Sequence, residues 1–190
     1  MLINGQSVPM SKLYLGITFF FLIIDSTYAL NKIEQSEMLA THNQFRIEVN
    51  IPKLKWSSSL AKTAQAYANK LATTGGCRLA HSGKHGVGEN LYWASPITQT
   101  VTSSNGETKT SFKPQDIVAS SVVEAWANEK RDYEYSTNTC SADKVCGHYT
   151  QLIWKSTMRV GCAKAMCGDR SQVWVCHYSP PGNYIGQKPF

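Results

Sequence analysis

The chain has 190 residues, of which 42% are hydrophobic and 17% are charged, and its formal net charge is +6. This length suits one domain with a substantial core. Its basic residues are scattered, which excludes the clustered Lys and Arg of a nucleic-acid-binding surface and leaves a mild attraction to anionic surfaces.

The N-terminal segment predicts an export signal. Lys12 precedes a mostly apolar run of about twelve residues, and Ala29 ends a small-large-small stretch of the kind that signal cleavage requires. A spanning helix needs roughly 20 apolar residues, so a cleaved signal at 1–29 fits better than a retained signal-anchor. A start at Met10 would leave a shorter signal of the same kind. We therefore expect a secreted, extracellular domain over residues 30–190.

Two amphipathic helices are predicted next. The first covers Ile33 to Asn50 and ends before Pro52, because the residue before a proline avoids the helical region. The second follows Trp56, is capped by Ser57 or Ser58, and stops at 75–76, where two glycines stand. Their apolar positions are Ile33, Met38, Leu39, Phe45, Ile47 and Val49, then Leu60, Ala61, Ala64, Tyr67, Ala68 and Leu71.

Two loops are predicted after these helices. Residues 77–93 are rich in Gly and His and end in a short apolar piece at 91–93. Residues 95–113 are rich in Ser, Thr, Asn and Gly and have almost no core-forming side chains. We therefore expect the second stretch to be a long surface loop.

The C-terminal half predicts one more helix and a hairpin. The helix follows Pro114, which we expect in its first turn, and its inward side chains are Ile117, Val118, Val122, Val123 and Trp126. A short helical turn is expected at 148–152. Residues 158–167 and 172–178 predict two antiparallel strands joined by a turn at 168–170. Helices followed by strands indicate the α+β class.

Two blocks near the C-terminus, 146–154 (CGHYTQLIW) and 175–184 (VCHYSPPGNY), combine cysteine, histidine and aromatic residues more densely than a generic core. Both closely resemble the signature segments of the CAP superfamily, which comprises the cysteine-rich secretory proteins, insect antigen 5 and plant pathogenesis-related proteins of group one. The chain is most similar to the plant group-one type, including its ending at 186–190. The resemblance implies a three-layer α-β-α sandwich with a central antiparallel sheet.

The cysteines predict disulfides. Six are present, all after residue 30, and an even number in an exported chain is typical of three disulfides; a zinc site is the alternative interpretation of Cys162 and Cys167. The resemblance implies the pairs Cys77–Cys167, Cys140–Cys146 and Cys162–Cys176. The predicted hairpin agrees with the last pair, because it places Cys162 and Cys176 on neighbouring strands.

Four residues match the family's cleft motifs: His81, Glu89, Glu129 and His148. The resemblance, and not their spacing, implies that they share one central cleft. Two imidazoles and two carboxylates suit Zn²⁺ or another divalent cation with open coordination positions. Alternatively, the four side chains satisfy one another by hydrogen bonds and stabilise the cleft without any ligand.

Catalysis has less support. Ser82 has no visible base, Cys146 is expected to be oxidised, and neither Gly-x-Ser-x-Gly nor His-Glu-x-x-His occurs. His85 is expected to be an exposed loop residue and His177 a structural residue of a strand. We therefore assign no catalytic residue.

Three functions stay open. The leading hypothesis is a monomeric, non-enzymatic binder of a small hydrophobic molecule, a sterol or a fatty acid, because relatives bind such ligands and the chain has surplus aromatic residues. The residues that would line the lipid site are not predicted. The alternatives are a divalent-metal-dependent hydrolase that uses the four cleft residues, and a defence or effector protein that binds an extracellular protein, a cell wall or a membrane surface.

Overall fold

A computed structural model describes residues 29–190, so the predicted signal lies outside the described residues. In chain order the elements are α1 (Lys32–Glu48), β1 (Lys55–Trp56), α2 (Ser58–Thr73), β2 (Gly88–Ala94), β3 (Ile97–Thr102), β4 (Thr108–Lys113), α3 (Ala119–Ala127), a 3₁₀ helix (Asn128–Asp132), β5 (Tyr133–Glu134), β6 (Thr139–Cys140), α4 (Gly147–Leu152), β7 (Arg159–Met166) and β8 (Gln172–Ser179). None of the helices within 29–190 has the length and apolar character that crossing a membrane requires.

The central sheet has the strand order β1-β7-β8-β2. Strand β8 is antiparallel to both β7 and β2, and the two-residue β1 runs parallel to β7. Side chains of β8 alternate between two cores: Val173 and Val175 pack under α2, whereas Trp174 and Tyr178 pack under α1, α3 and α4. The expected three-layer α-β-α sandwich is therefore confirmed.

Helix α2 lies directly on β7. Ser57, one of the two predicted caps, accepts a hydrogen bond from the Leu60 amide. A side chain at Gly161 of β7 would place its Cβ 2.2 Å from the Ala61 nitrogen. Only glycine permits this close approach of helix and strand.

The inward face of α1 is more polar than predicted. Its fully buried side chains include Met38, His42 and Arg46, whereas Ile33 and Ile47 are 71% and 56% exposed. Of the predicted apolar positions, Met38 is buried and Leu39, Phe45 and Val49 pack against the core, so the pattern was wrong only for Ile33 and Ile47. The polar side chains are tolerated inside because each finds hydrogen-bond partners.

Arg46 is held by backbone carbonyls. Its guanidinium donates to the carbonyl oxygens of Pro52 (2.7 Å), Leu152, Trp154 and Thr157 (2.9 Å each), and Lys155 (3.5 Å). Burial lowers the pKa of Arg46 to about 10, so the side chain stays charged at neutral pH. Several of these carbonyls follow α4, and the cation therefore fixes the chain where that helix ends.

A second buried network joins α1 to β8, β2 and α4. The His42 Nδ1–H donates to the Met38 carbonyl (2.6 Å), which leaves Nε2 to accept from the Tyr178 hydroxyl (2.8 Å). Asn90 Nδ2 donates to that hydroxyl (3.2 Å) and to the His148 carbonyl (3.0 Å). Burial lowers the pKa of His42 to about 4, so its imidazole is neutral at physiological pH and serves as donor and acceptor at once.

Two predicted loops are partly strands. The end of the first is β2, whose Leu91 and Ala94 are buried in the sandwich. Residues 95–113 form an antiparallel hairpin, β3–β4, whose side chains are almost all exposed. The prediction of a surface loop was wrong here, because alternating Thr, Ile, Val and Phe pair well across strands without needing a core.

The third helix begins later than expected. It starts at Ala119, so Pro114 lies before the helix rather than in its first turn, and Val118 is 54% exposed. Its buried side chains include Val122, Val123 and Trp126, as predicted. Trp126 Nε1 donates to the Leu91 carbonyl (2.9 Å) and attaches α3 to β2.

Three disulfides join elements of the domain covalently. Cys77 pairs with Cys167, Cys140 with Cys146, and Cys162 with Cys176, which are the pairs that the resemblance implies. The first closes the largest loop, with a sequence separation of 90, and attaches the segment after α2 to the end of β7. All six cysteines are thus oxidised, which excludes the alternative of a Cys162–Cys167 zinc site.

We expect the substitution Arg46→Met to lower the free energy of unfolding by about 3 kcal/mol or more, because several buried carbonyls lose their donor. Arg131→Met is the matched control, since that side chain is 80% exposed, and it should change stability by less than about 0.5 kcal/mol. Urea denaturation of both variants measures the difference. Equal free energies of unfolding in the two variants would show that the hydrogen bonds from Arg46 to the backbone carbonyls do not stabilise the protein.

Candidate functional site

The first candidate group centres on Glu89 in β2. Its Oε1 accepts from His81 Nδ1 and from the Ser82 amide, each at 2.8 Å, and its Oε2 accepts from His177 Nε2 at 3.0 Å. The Glu89 side chain is only 6% exposed, whereas that of His81 is 66% exposed. Strand pairing explains part of this contact, because Glu89 lies opposite His177 on β8.

Glu89 carries a buried negative charge. Burial by itself raises its pKa, but the hydrogen bonds from His177, the Ser82 backbone and His81 outweigh that effect and lower the pKa to about 2. The carboxylate is therefore ionised throughout the physiological range. It fixes the His81 ring and the start of the loop at Ser82.

The second group joins the 3₁₀ helix to α4. Glu129 Oε1 accepts from His148 Nδ1 at 2.6 Å, and its Oε2 accepts from the amides of His148 (2.9 Å) and Tyr149 (3.1 Å). The His148 ring also stacks near Trp126, with 6.2 Å between ring centroids. One carboxylate thus holds both the backbone and the imidazole of His148.

The predicted four cleft residues therefore form two His–Glu pairs. The pairs are linked through neighbours, because Asn90, next to Glu89, donates to the His148 carbonyl. Among residues 29–190, the only group of three or more His, Cys, Asp or Glu with ligand atoms within 4.8 Å of one another is Cys77, Cys167 and Asp169. Its two sulfurs form a disulfide. Convergence of the two pairs around one ion stays a prediction.

Each imidazole is oriented in the same way. Both His81 and His148 direct Nδ1 to a carboxylate, so Nε2 is the ring nitrogen left for a ligand. A carboxylate behind the ring is the usual outer-sphere support of metal-binding histidine. The chemistry of these groups suits a divalent cation, with the two Nε2 atoms as ligands and Glu89 and Glu129 behind the rings; metal binding by the four residues stays a prediction.

His177 is the site residue that sequence reasoning assigned only a structural role. It is buried and contacts Glu89 as well as the Thr63 hydroxyl, 2.7 Å from its Nδ1. The position of His177 in the second signature block was the one feature of the sequence that could have indicated a role in the site. His85, in contrast, is exposed as predicted.

Among residues 29–190 no histidine contacts the Ser82 hydroxyl, and the carboxylate beside Ser82, that of Glu89, is a weak base because its pKa is lowered to about 2. The Ser82 hydroxyl oxygen accepts from the Lys84 amide at 3.2 Å, and the Ser82 amide donates to Glu89. His81 and His177 both contact Glu89 rather than this hydroxyl.

Residues 39–178 match the model of the cysteine-rich secretory protein family, CAP. The chain belongs to the CAP family. It is 39% identical over 184 residues to pathogenesis-related protein 1C of Nicotiana tabacum, covering 95% of each chain. It is 39% identical over 156 residues to pathogenesis-related protein 1 of Arabidopsis thaliana, covering 82% of each. The similarity to plant group-one proteins is thus confirmed.

Solved structures agree on the fold. The venom allergen-like protein 4 of Schistosoma mansoni matches with a TM-score of 0.60 at 22% identity, over 85% of this chain and 95% of that one. A structure titled NaASP2 with Zn²⁺ matches with a TM-score of 0.63 at 21% identity, over 85% of this chain and 86% of that one. At these identities the matches support the CAP fold alone.

We expect Glu89→Gln to destabilise the protein by about 2–3 kcal/mol at neutral pH, because a charge-assisted acceptor of several hydrogen bonds is lost. The folded pKa of Glu89 lies below its ordinary value of 4.5, at about 2. The contribution of its charge is thus complete above pH 4.5 and is lost as the pH falls from there to about 2.

Denaturant unfolding of wild type and Glu89→Gln between pH 7 and pH 2 measures this difference. The control is Glu107→Gln, in the exposed turn of the β3–β4 hairpin. Its free energy of unfolding should equal that of wild type at every pH. A gap between wild type and Glu89→Gln that stays constant down to pH 2 would contradict the assignment of a depressed pKa.

Proposed function

We propose that this CAP protein is a secreted, non-enzymatic binder of a small hydrophobic molecule, a sterol or a fatty acid. The observation that supports the proposal best is a crevice of about 430 Å³ beside the Cys77–Cys167 disulfide. Leu79 and Trp93 line it and are 47% and 43% exposed. Two large apolar side chains beside one crevice are more than scattered surface hydrophobicity.

The crevice has the size and composition of a small-molecule site. Such sites usually enclose roughly 300–1,000 Å³ and combine an apolar lining with a few polar groups. Here the polar groups are Arg78 and Asp169. Arg78 suits a fatty-acid carboxylate and Asp169 suits a sterol hydroxyl, while Leu79 and Trp93 contact the hydrocarbon.

The chemistry of the site supports binding rather than catalysis. Every cysteine is in a disulfide, and the carboxylate beside Ser82, that of Glu89, is a weak base because its pKa is lowered to about 2. The plant relatives are pathogenesis-related proteins, which favours a role in defence. A protein or cell-surface partner is compatible with the same role, but no particular surface points to it.

We expect Trp93→Ala to weaken the binding of a fluorescent sterol and of palmitate by about tenfold, because an aromatic contact and its buried area are lost. Tyr184→Ala is the matched control, since Tyr184 is also about half exposed (49%) but lies outside the crevice. The double variant His81→Ala, His148→Ala should bind both lipids with the affinity of wild type. Failure of wild type to bind either lipid would refute the proposal.

A divalent cation is the second candidate ligand. We propose that His81 and His148 would hold it through Nε2, with Glu89 and Glu129 fixing the rings. The structure titled NaASP2 with Zn²⁺ names zinc for that distant relative, which supports testing the same ion here. Bound, the ion would supply a Lewis-acid centre; on its own, the chain offers only the two oriented imidazoles.

Calorimetric titration with Zn²⁺ tests the second candidate. We expect the double variant His81→Ala, His148→Ala to lose zinc binding and His85→Ala, which removes an exposed loop histidine, to keep it. Equal affinity in the double variant and wild type would refute the site. Cleavage of a peptide library that stops on chelation would instead support the hydrolase alternative.

A further inference from the structure

A second cleft, of about 280 Å³, lies beside α4, where Gly147, Thr150 and Trp154 line it. Neither His–Glu pair lines it, and it shares no lining residue with the lipid crevice. Its surface combines three aromatic rings, those of Tyr133, Trp154 and Tyr184, with three side-chain amides. Packing of the core alone does not require aromatic rings and amides to meet at one cleft.

The cleft is uncharged. Its only lining cysteines, Cys140 and Cys146, form a disulfide, and no Asp, Glu, Lys, Arg or His lines it. This is unusual surface for a chain of net charge +6. A phosphate or carboxylate would lack a cation here, and a metal ion would lack a carboxylate or imidazole.

Hydrogen bonds fix two of the three amides, those of Asn138 and Asn183, before any ligand arrives. Asn183 Nδ2 donates to the Gly147 carbonyl at 2.8 Å, and its Oδ1 accepts from the Thr150 hydroxyl at 2.8 Å. Asn138 Oδ1 accepts from the Tyr133 hydroxyl at 2.7 Å, and its Nδ2 donates to the Gln187 carbonyl at 3.1 Å. A cleft arranged in this way loses little entropy when a ligand binds.

Other polar groups of the cleft have no protein partner among the described residues. Among residues 29–190, the one fully buried side-chain N or O atom without a hydrogen-bond partner is Trp174 Nε1, which lies outside the cleft. Trp154 is 4% exposed, and its Nε1, which forms no hydrogen bond with residues 29–190, is not among the fully buried atoms and keeps a small accessible area. The Tyr184 hydroxyl and the Gln187 side-chain amide are likewise unpaired, on exposed residues. These groups are available to a ligand.

We propose that this cleft binds a neutral saccharide. A pyranose ring presents an apolar face, which would stack on Tyr184, and a rim of hydroxyls, which would exchange hydrogen bonds with Trp154 Nε1–H and Gln187. A lipid tail would bury these polar groups without partners, at a cost that disfavours it. The volume of about 280 Å³ lies just below the usual range of ligand sites and suits one sugar unit.

Titration followed by ¹H–¹⁵N NMR tests the proposal on the full secreted chain. The probes are cellotriose and triacetylchitotriose, which are neutral, and trigalacturonate, which is anionic. We expect at least one neutral probe to shift the Trp154 indole N–H resonance with an affinity that high salt does not change. Binding of trigalacturonate alone, abolished by salt, would be attraction to the basic chain and would overturn the proposal.

Two variants locate the site. Tyr184→Ala should lower the affinity for the neutral probe about three- to tenfold, because the aromatic contact is lost. Gln187→Ala should lower that affinity by a smaller factor. Trp93→Ala, in the lipid crevice, should bind the saccharide as wild type does. No neutral probe binding, or unchanged affinity in both cleft variants with wild-type-like spectra, overturns the proposal. The lipid result is independent, so either proposal can fail alone.

Discussion

The polar inward face of α1 determines where the neighbouring elements can lie. His42 and Arg46 lie one turn apart and are both fully buried, so each must be satisfied inside the protein. Arg46 gathers the carbonyls around the end of α4, and His42 reaches β2 and α4 through Tyr178 and Asn90. One helix thereby fixes the position of the short α4, which has only six residues and too few internal hydrogen bonds to be stable alone.

The candidate site inherits its geometry from this arrangement. His148 lies on α4 and Glu89 on β2, and Asn90 joins the two elements at the His148 carbonyl. Each carboxylate then orients one imidazole, so the two pairs are held by several layers at once. A crevice near Trp93 and an uncharged cleft near Tyr184 lie apart from the two His–Glu pairs. The proposed lipid and saccharide ligands can therefore each be tested separately from the pairs.

The sequence predicted the fold class, α2 with its serine cap, the β7–β8 hairpin and three disulfides, because these rest on local patterns and on an even cysteine count. It failed for the polar side of α1, where His42 and Arg46 face inward: their carbonyl partners at 152–157 are distant in sequence and leave no local signal. It also failed for the β3–β4 hairpin, whose alternation of Thr with Ile and Val looked like loop composition. The contact of His177 with Glu89 depends on strand register, which neither residue reveals alone.

Amide hydrogen exchange in wild type and Tyr178→Phe tests the central claim most directly. The substitution keeps the ring and removes the hydroxyl between His42 and Asn90. If the buried network positions the site, exchange of the His148 and Tyr149 amides should rise about tenfold or more, which corresponds to about 1.4 kcal/mol, while amides of α2 stay protected. Unchanged exchange at His148 and Tyr149, or a uniform rise through both layers, would contradict the account.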